Sequence, residues 1–292
     1  MGSLRDYVQL MKVRIAALLL LVALAGFIVT VGTAIDWASL GSLLVAGFLA
    51  STGSSVVNSY VDRDIDPLME RTRRRALPMH RISPPEKVLA FGLTLIGSGI
   101  VVAFFLNNPL TAGFIALGAA TYLGVYTVAL KRRSESNIVI GGFAGSCPAL
   151  AGSAAAAGAV SLGAGLIALL VFLWTPGHFW ALAYRQKEDY RRAGLPMLPA
   201  DRDDPTAVKA IAGSSMIVAG FAVAFALTPA FGFAYLVVAL ATAAGMMYVT
   251  WRFSSRPSPA TAWAGYRYSS MYLGLLLLGV ILDAIVRIRL PF

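Results

Sequence analysis

The sequence predicts an all-α membrane protein, a bundle of nine transmembrane helices capped on the cytoplasmic side by charged loops. Three observations carry that expectation. Of the 292 residues, 58% are hydrophobic and 13% charged, with a mean hydropathy of +0.74, far from the balance of a soluble domain. Apolar windows of about 20 residues, the length that crosses a bilayer, recur along the chain. The positive residues gather on alternate connections between those windows, which is a signal of orientation. The net charge of +10 therefore reads as membrane topology and not as nucleic-acid binding, because the bases punctuate apolar runs instead of forming a stripe.

The opening "MGSLRDYVQLMKVRIAALLLL" runs almost directly into the first apolar segment. It shows neither a small-residue cleavage site nor an Arg/Ser-rich leader, so the first span is expected to stay as an anchor in a prokaryotic cell membrane. Spans are expected near 14–35, 39–61, 87–107, 110–130, 137–158, 161–183, 208–228, 231–251 and 269–287. Their interiors, as in "GSLLVAGFLASTGSSVV" and "IVIGGFAGSCPALAGSAAAAGA", are rich in the small residues that let membrane helices approach closely. The single cysteine, Cys147, excludes an intramolecular disulfide and a CxxC metal site, and reads as a small packing residue.

Connections after spans 1, 3, 5 and 7 ("GTAIDWAS", "NNP", "AGAVS", "TPAFG") carry no Lys or Arg, whereas the amino terminus and the other four connections hold 22 of the 24. The positive-inside rule puts the amino terminus and the long loops in the cytoplasm. Nine spans then leave the carboxyl terminus outside, with Arg287 and Arg289 weighing against that placement. Spans 1–4 and 5–8 each carry a charged loop after their second helix, an architectural likeness of two halves.

The first such loop holds "NSYVDRDIDPLMERTRRR". Asn58, Asp62 and Asp66 are spaced i, i+4, i+8, so on a continued helix they share one face at about 6 Å per step, while Asp64 points elsewhere. A row of oxygen ligands at a helix mouth suits Mg²⁺, which takes a few carboxylates and completes its shell with water or phosphate oxygens. Arg71, Arg73, Arg74 and Arg75 suit phosphate oxygens in the same way. The plainer reading makes these arginines orientation signals that neutralise the aspartates in a solvated loop. The combination of an Asn/Asp/Asp face with an Arg cluster at the end of a membrane helix favours a diphosphate site.

The second loop follows "WTPGHFWALAYRQKEDYRRAGLPMLP", residues 174–199. Glu188 and Asp189 are candidates for a second Mg²⁺ or for steering Lys187 and Arg185 onto phosphate, and Gly194 and Pro196 end any helix there. Taken alone, the segment is an amphipathic interfacial loop. His178 lies at membrane depth, where a polar side chain is either hydrogen-bonded to a neighbouring helix or functional, iron ligation included. His80, in "LPMHRIS", reads as a loop residue.

The whole chain resembles the UbiA superfamily of intramembrane prenyltransferases, whose first motif, N-x3-D-x3-D, is matched by Asn58, Asp62 and Asp66. Within it, "DRDIDPLMERTRRRALP", "YLGVYTVALKRRSESNIVIGGFAGSCPALAG" and "WTPGHFWALAYRQKEDYRRAGLPMLP" are similar to the protoheme IX farnesyltransferase branch. The chain departs from that pattern at Arg75-Ala76-Leu77 (Arg-Pro-Leu in the family), at Pro176-Gly177-His178 (Pro-Pro-His), and at Ala200-Asp201 (Val-Val). The D-x3-D second motif of aromatic prenyltransferases is absent: Gln186 and Tyr190 take those places beside Asp189.

The resemblance implies a UbiA-type bundle forming one integral-membrane prenyltransferase domain over 1–292, with charged cytoplasmic loops near 62–86 and 184–207. It implies Mg²⁺ held by Asn58, Asp62, Asp66, Glu188 and Asp189, and catalysis by Asp62, Asp66, Lys187 and Asp189. Substrate contacts would come from Asn58, Arg71, Arg75, Lys131 and Arg132, and from His178, Tyr184, Arg185 and Tyr190. The implied substrates are farnesyl diphosphate and haem b, joined at the 2-vinyl group to give haem O, with basic residues at the cytoplasmic rim pairing with the propionates. Membrane lipid surrounds the chain, and haem A synthase or oxidase assembly factors are implied partners.

Two rivals remain at this level. Another UbiA branch, acting on an aromatic, chlorin or lipid acceptor, shares the metal site, and Gln186 and Tyr190 argue against it. A transporter or channel would place charges at the membrane midplane, whereas only Asp283 lies well inside a span.

Overall fold

The structure, a computed structural model, describes residues 2–286, so the expectations for Arg287 and Arg289 lie outside the described residues. Among the described residues there are helices and turns and no strand, and nine helical stretches are long and apolar enough to cross a membrane. A short helix, α1 (Leu4–Met11), starts at a capping box in which the Ser3 hydroxyl accepts from the Asp6 amide (3.3 Å) and Asp6 accepts from the Ser3 amide (3.1 Å). Lys12 then adopts a left-handed backbone (φ 50°) and turns the chain into α2 (Val13–Val31).

The spans continue as α3 (Trp37–Val61), α4 (Glu86–Leu106) and α5 (Pro109–Ala120). The last runs on as a π-helix over Thr121–Leu130, where the Thr127 hydroxyl donates to the Tyr122 carbonyl at 2.8 Å. The fifth span is two pieces, α6 (Asn137–Gly141) and α7 (Phe143–Ala157), and α8 (Leu162–Arg185) starts at a Ser161 cap. Two short helices, α9 (Lys187–Arg192) and α10 (Leu198–Asp201), lead to α11 (Asp204–Phe225), α12 (Phe233–Ser255) and α13 (Pro259–Val286).

Two expectations are corrected. The ninth helix begins at Pro259 and not near 269: Thr261, Trp263, Tyr266 and Arg267 lower the hydropathy of its first turns, but the Ser258 hydroxyl caps Thr261 (3.1 Å) and lets the helix start there. The second membrane helix also does not continue in α form to Asp66. It ends at Val61 and gives way to two 3₁₀ turns, Asp62–Asp64 and Asp66–Leu68, the second of which carries Pro67, a residue with no amide N–H to give to an α-helical bond.

The small residues do what their composition promises. A Cβ on Gly26 would lie 2.2 Å from the Ala149 carbonyl oxygen, and one on Gly152 2.1 Å from that of Ala23, so α2 and α7 touch backbone to backbone. Gly53 and Gly92 join α3 to α4 in the same way. Phe104, Phe105, Tyr248 and Trp251 point outward, as side chains facing lipid should. Asp283, the one carboxylate deep in a span, accepts from the amides of Gly232 (2.7 Å) and Tyr235 (3.1 Å), and so caps the start of α12 instead of marking an ion path. The charged loops after α3 and α8 meet at the same end of the bundle.

Candidate active site

The last turn of α3 begins at Asn58, whose amide nitrogen donates to Asp62 Oδ2 (2.9 Å) and Thr127 Oγ1 (3.3 Å). Its oxygen accepts from Lys12 Nζ at 2.9 Å. The left-handed turn at Lys12 and the π-helix around Thr127 therefore both serve this one amide, each an irregularity held by the packing around it. Asp62 also accepts from Lys131 Nζ, and its other oxygen, Oδ1, is buried with no partner among the described residues. Asp66 takes both oxygens to Arg75 Nη1 (3.0 and 2.9 Å), and Thr72 Oγ1 donates to the Asp66 carbonyl (2.8 Å), curling the loop back on itself. Asp62 and Asp66 are only 1% and 3% exposed, a burial that carboxylates tolerate only when paired or liganded.

Three cations, Lys12, Lys131 and Arg75, thus surround two carboxylates. Lys12 is held down to about 7, chiefly by burial and then by repulsion from Arg75 and Lys131. Sequence reasoning missed Lys12 and Thr127 as parts of this cluster. "LMKVRI" reads only as an orientation signal, and Thr127 has no mark beyond being polar within a span.

The other expected residues form a looser group. Tyr190 is buried against Ile65, Met69 and Ile138, and burial pushes its hydroxyl up despite the nearby Arg71. Asp189 is buried and pairs with Arg192, whereas Glu188 pairs with Arg191 at 2.8 Å with 69% of its side chain exposed. Lys187 turns to Asp204 (3.0 Å), Arg132 forks onto Asp64 (2.7 Å to each oxygen), and Tyr184 packs against Phe253. Arg185 lies 4.3 Å over the Trp263 ring. His178 is sandwiched between Trp174 and Tyr266, with ring centroids 4.0 and 4.4 Å away, and its Nδ1 is 3.2 Å from Ser269 Oγ. The interhelical hydrogen bond open to it from the sequence is present.

Among the described residues no three His, Cys, Asp or Glu gather as a metal centre. The oxygens of Asn58, Asp62 and Asp66, with Asp62 Oδ1 unpartnered, make a donor set suited to a hard cation that takes the rest of its shell from water or phosphate. A buried acidic pair ringed by Lys and Arg at the mouth of an apolar bundle is equipped to hold an anionic head whose tail stays in lipid.

The UbiA prenyltransferase family matches the chain over residues 19–276. The chain belongs to that family. Protoheme IX farnesyltransferase 1 of Cenarchaeum symbiosum is 41% identical over 297 residues, covering 100% of this chain and 99% of that one. The protoheme IX farnesyltransferase of Metallosphaera sedula is 42% identical, covering 96% of each. Among solved structures, a digeranylgeranylglyceryl phosphate synthase superposes with a TM-score of 0.79 at 18% identity, covering 97% of this chain and 99% of that one. A UbiA homologue from Archaeoglobus fulgidus, bound to DMAPP and Mg²⁺, superposes with a TM-score of 0.67 at 16% identity, covering 94% and 99%. The protein is thus a UbiA-type prenyltransferase and a multi-pass membrane protein, as the motif and the apolar windows imply.

Proposed function

We propose that this UbiA protein transfers the farnesyl group of farnesyl diphosphate to the 2-vinyl group of haem b, giving haem O and diphosphate. The observation that carries it is the full-length identity of about 40% to protoheme IX farnesyltransferases, in a chain whose Asn58, Asp62 and Asp66 are all buried and bonded to Lys12, Lys131 and Arg75. The whole chain acts as one domain, with its amino terminus and both charged loops in the cytoplasm, where 22 of the 24 Lys and Arg fall.

Asn58, Asp62 and Asp66 would hold Mg²⁺, which neutralises the leaving diphosphate. Lys131 and Arg75, joined by Lys12 when it is protonated, are the cations that take up its remaining charge as the C1–O bond breaks, in a site dry enough to make each contact strong. The resulting allylic cation is attacked at C1 by the terminal vinyl carbon of haem b. The new cation beside the porphyrin takes up one water and loses a proton, leaving the hydroxyethylfarnesyl group. No tuned general base is needed to make this nucleophile, so the work of the chain is to neutralise the leaving group and keep bulk water from the cation. Haem A synthase or oxidase assembly factors are the natural recipients of the product.

The test is direct: purified protein with farnesyl diphosphate, Mg²⁺ and haem b should yield haem O by mass spectrometry. Product with an aromatic acid and none with haem b would sink the assignment, as would undiminished turnover in a chelator. An acceptor-free control reads out hydrolysis of the diphosphate alone.

A further inference from the structure

Between the two charged loops lies a cavity of about 440 Å³, lined from the first loop by Glu70 and Arg71 and from the second by Arg185, Gln186, Asp189 and Arg192. Its charges do not cancel in the way its composition suggests. Each acid on its wall has an arginine of its own three residues away: Glu70 has Arg73, Glu188 has Arg191 and Asp189 has Arg192. Arg71 and Arg185 have no carboxylate among the described residues: Arg71 lies near the Tyr190 hydroxyl, and Arg185 lies on the Trp263 ring. The Gln186 side-chain oxygen at the same mouth is buried with no partner among the described residues, a polar group left for a ligand or a water to satisfy. Two guanidinium groups without counter-ions thus face one cavity from opposite loops.

Guanidinium groups bind carboxylates through paired hydrogen bonds, and a tyrosine or tryptophan behind each one fixes its direction without competing for charge. A dicarboxylate whose acids sit side by side on one edge fits this pair. We propose that Arg71 and Arg185 bind the two propionates of the tetrapyrrole acceptor and so select and orient it, an inference that rests on haem b being the acceptor. The diphosphate is served separately by the cations that already sit on Asn58, Asp62 and Asp66. The propionates and the 2-vinyl group lie on roughly opposite edges of the macrocycle. Holding the propionates between the loops therefore points the vinyl edge away from the rim, and the order of substituents decides which of the two vinyls meets C1. The spacing of the arginine cluster ties Arg71 to diphosphate. In the structure it is Arg75 that holds Asp66, and Arg71 is turned into the mouth.

The experiment pairs acceptor chemistry with mutation: haem b and its dimethyl ester are compared on the wild type, Arg71→Gln, Arg185→Gln and the double variant, with KM measured for each substrate. Esterification should lower kcat/KM on the wild type by about 10- to 100-fold, the worth of charge-assisted hydrogen bonds. Each single variant should lose a comparable factor on haem b. The double variant should no longer distinguish haem b from its ester, with KM for farnesyl diphosphate unchanged in all three. A raised KM for farnesyl diphosphate with the ester discrimination intact would overturn the proposal and return these arginines to the diphosphate. Should a Gln variant fail to fold, Arg185→Lys, which keeps the charge and loses the fork, and titration of haem b against its ester by absorbance in detergent replace the kinetics: equal affinities for haem b and ester on the wild type also overturn it. A wild type that never prenylates haem b defeats the parent reading instead, a result plainly distinct from unchanged ester discrimination in the variants.

Discussion

The loops after α3 and α8 have nearly the same ingredients, acids and arginines at the end of a membrane helix, and the fold treats them differently. In the first, Asp62 and Asp66 are 1% and 3% exposed, and Asp62 is paired with Lys131 from another helix. In the second, both carboxylates of α9 pair with arginines three residues along, and Glu188 is 69% exposed. Local exposed pairs are worth about 0–1 kcal/mol, whereas burying a carboxylate is unfavourable by several kcal/mol unless a partner or ligand meets it. Burial together with a partner from beyond the adjacent turn, and not the charge count, separates a built site from a rim.

The largest effect expected from that contrast is in the first loop. Asp62→Ala or Asp66→Ala should lower turnover by about 10³-fold, since each would remove an oxygen that the proposed function assigns to Mg²⁺ and a contact that would matter most in the transition state. Product mass with an unchanged elution profile in detergent checks it, and near-normal turnover would dissolve the contrast. Lys131→Met comes next, with turnover lower by about 10²-fold. It should also lower the thermal midpoint, because Asp62 is left buried with its main cation gone, a loss of about 3 kcal/mol. Loss of turnover with no thermal shift would mean that Asp62 is already satisfied without Lys131.

How much of this was legible depended on range. Spans two to eight fall within a few residues of their hydropathy windows, because length and apolarity are local properties. The start of α13 was hidden because Trp263, Tyr266 and Arg267 are interfacial and depress the window average. Asn58, Asp62 and Asp66 stand out from their spacing as a candidate set, and the chain after Val61 is built from 3₁₀ turns and not from the continued α-helix that the spacing assumes. Lys12 and Thr127 do not stand out, since each reaches Asn58 only through a local distortion, a left-handed residue and a π-helix, that no periodicity encodes.

The smallest effects sharpen the contrast most, because they fall on residues that composition alone would rank beside the aspartates. Asp64 sits two residues from Asp62 yet forks onto Arg132 with 59% of its side chain exposed, so Asp64→Asn should lower turnover by no more than about fivefold. Glu188→Gln should change it by less than about twofold, since among the described residues its carboxylate meets one partner, an exposed arginine one turn away, and water can replace that contact. Turnover measured at saturating levels of both substrates decides both. If Glu188→Gln fell as far as Asp62→Ala, Glu188 and Asp189 would have to act together on a second metal, and exposure would no longer mark the rim. A small effect at Glu188 with a large one at Asp64 would instead keep the rim and extend the built site across the outer face of the first loop.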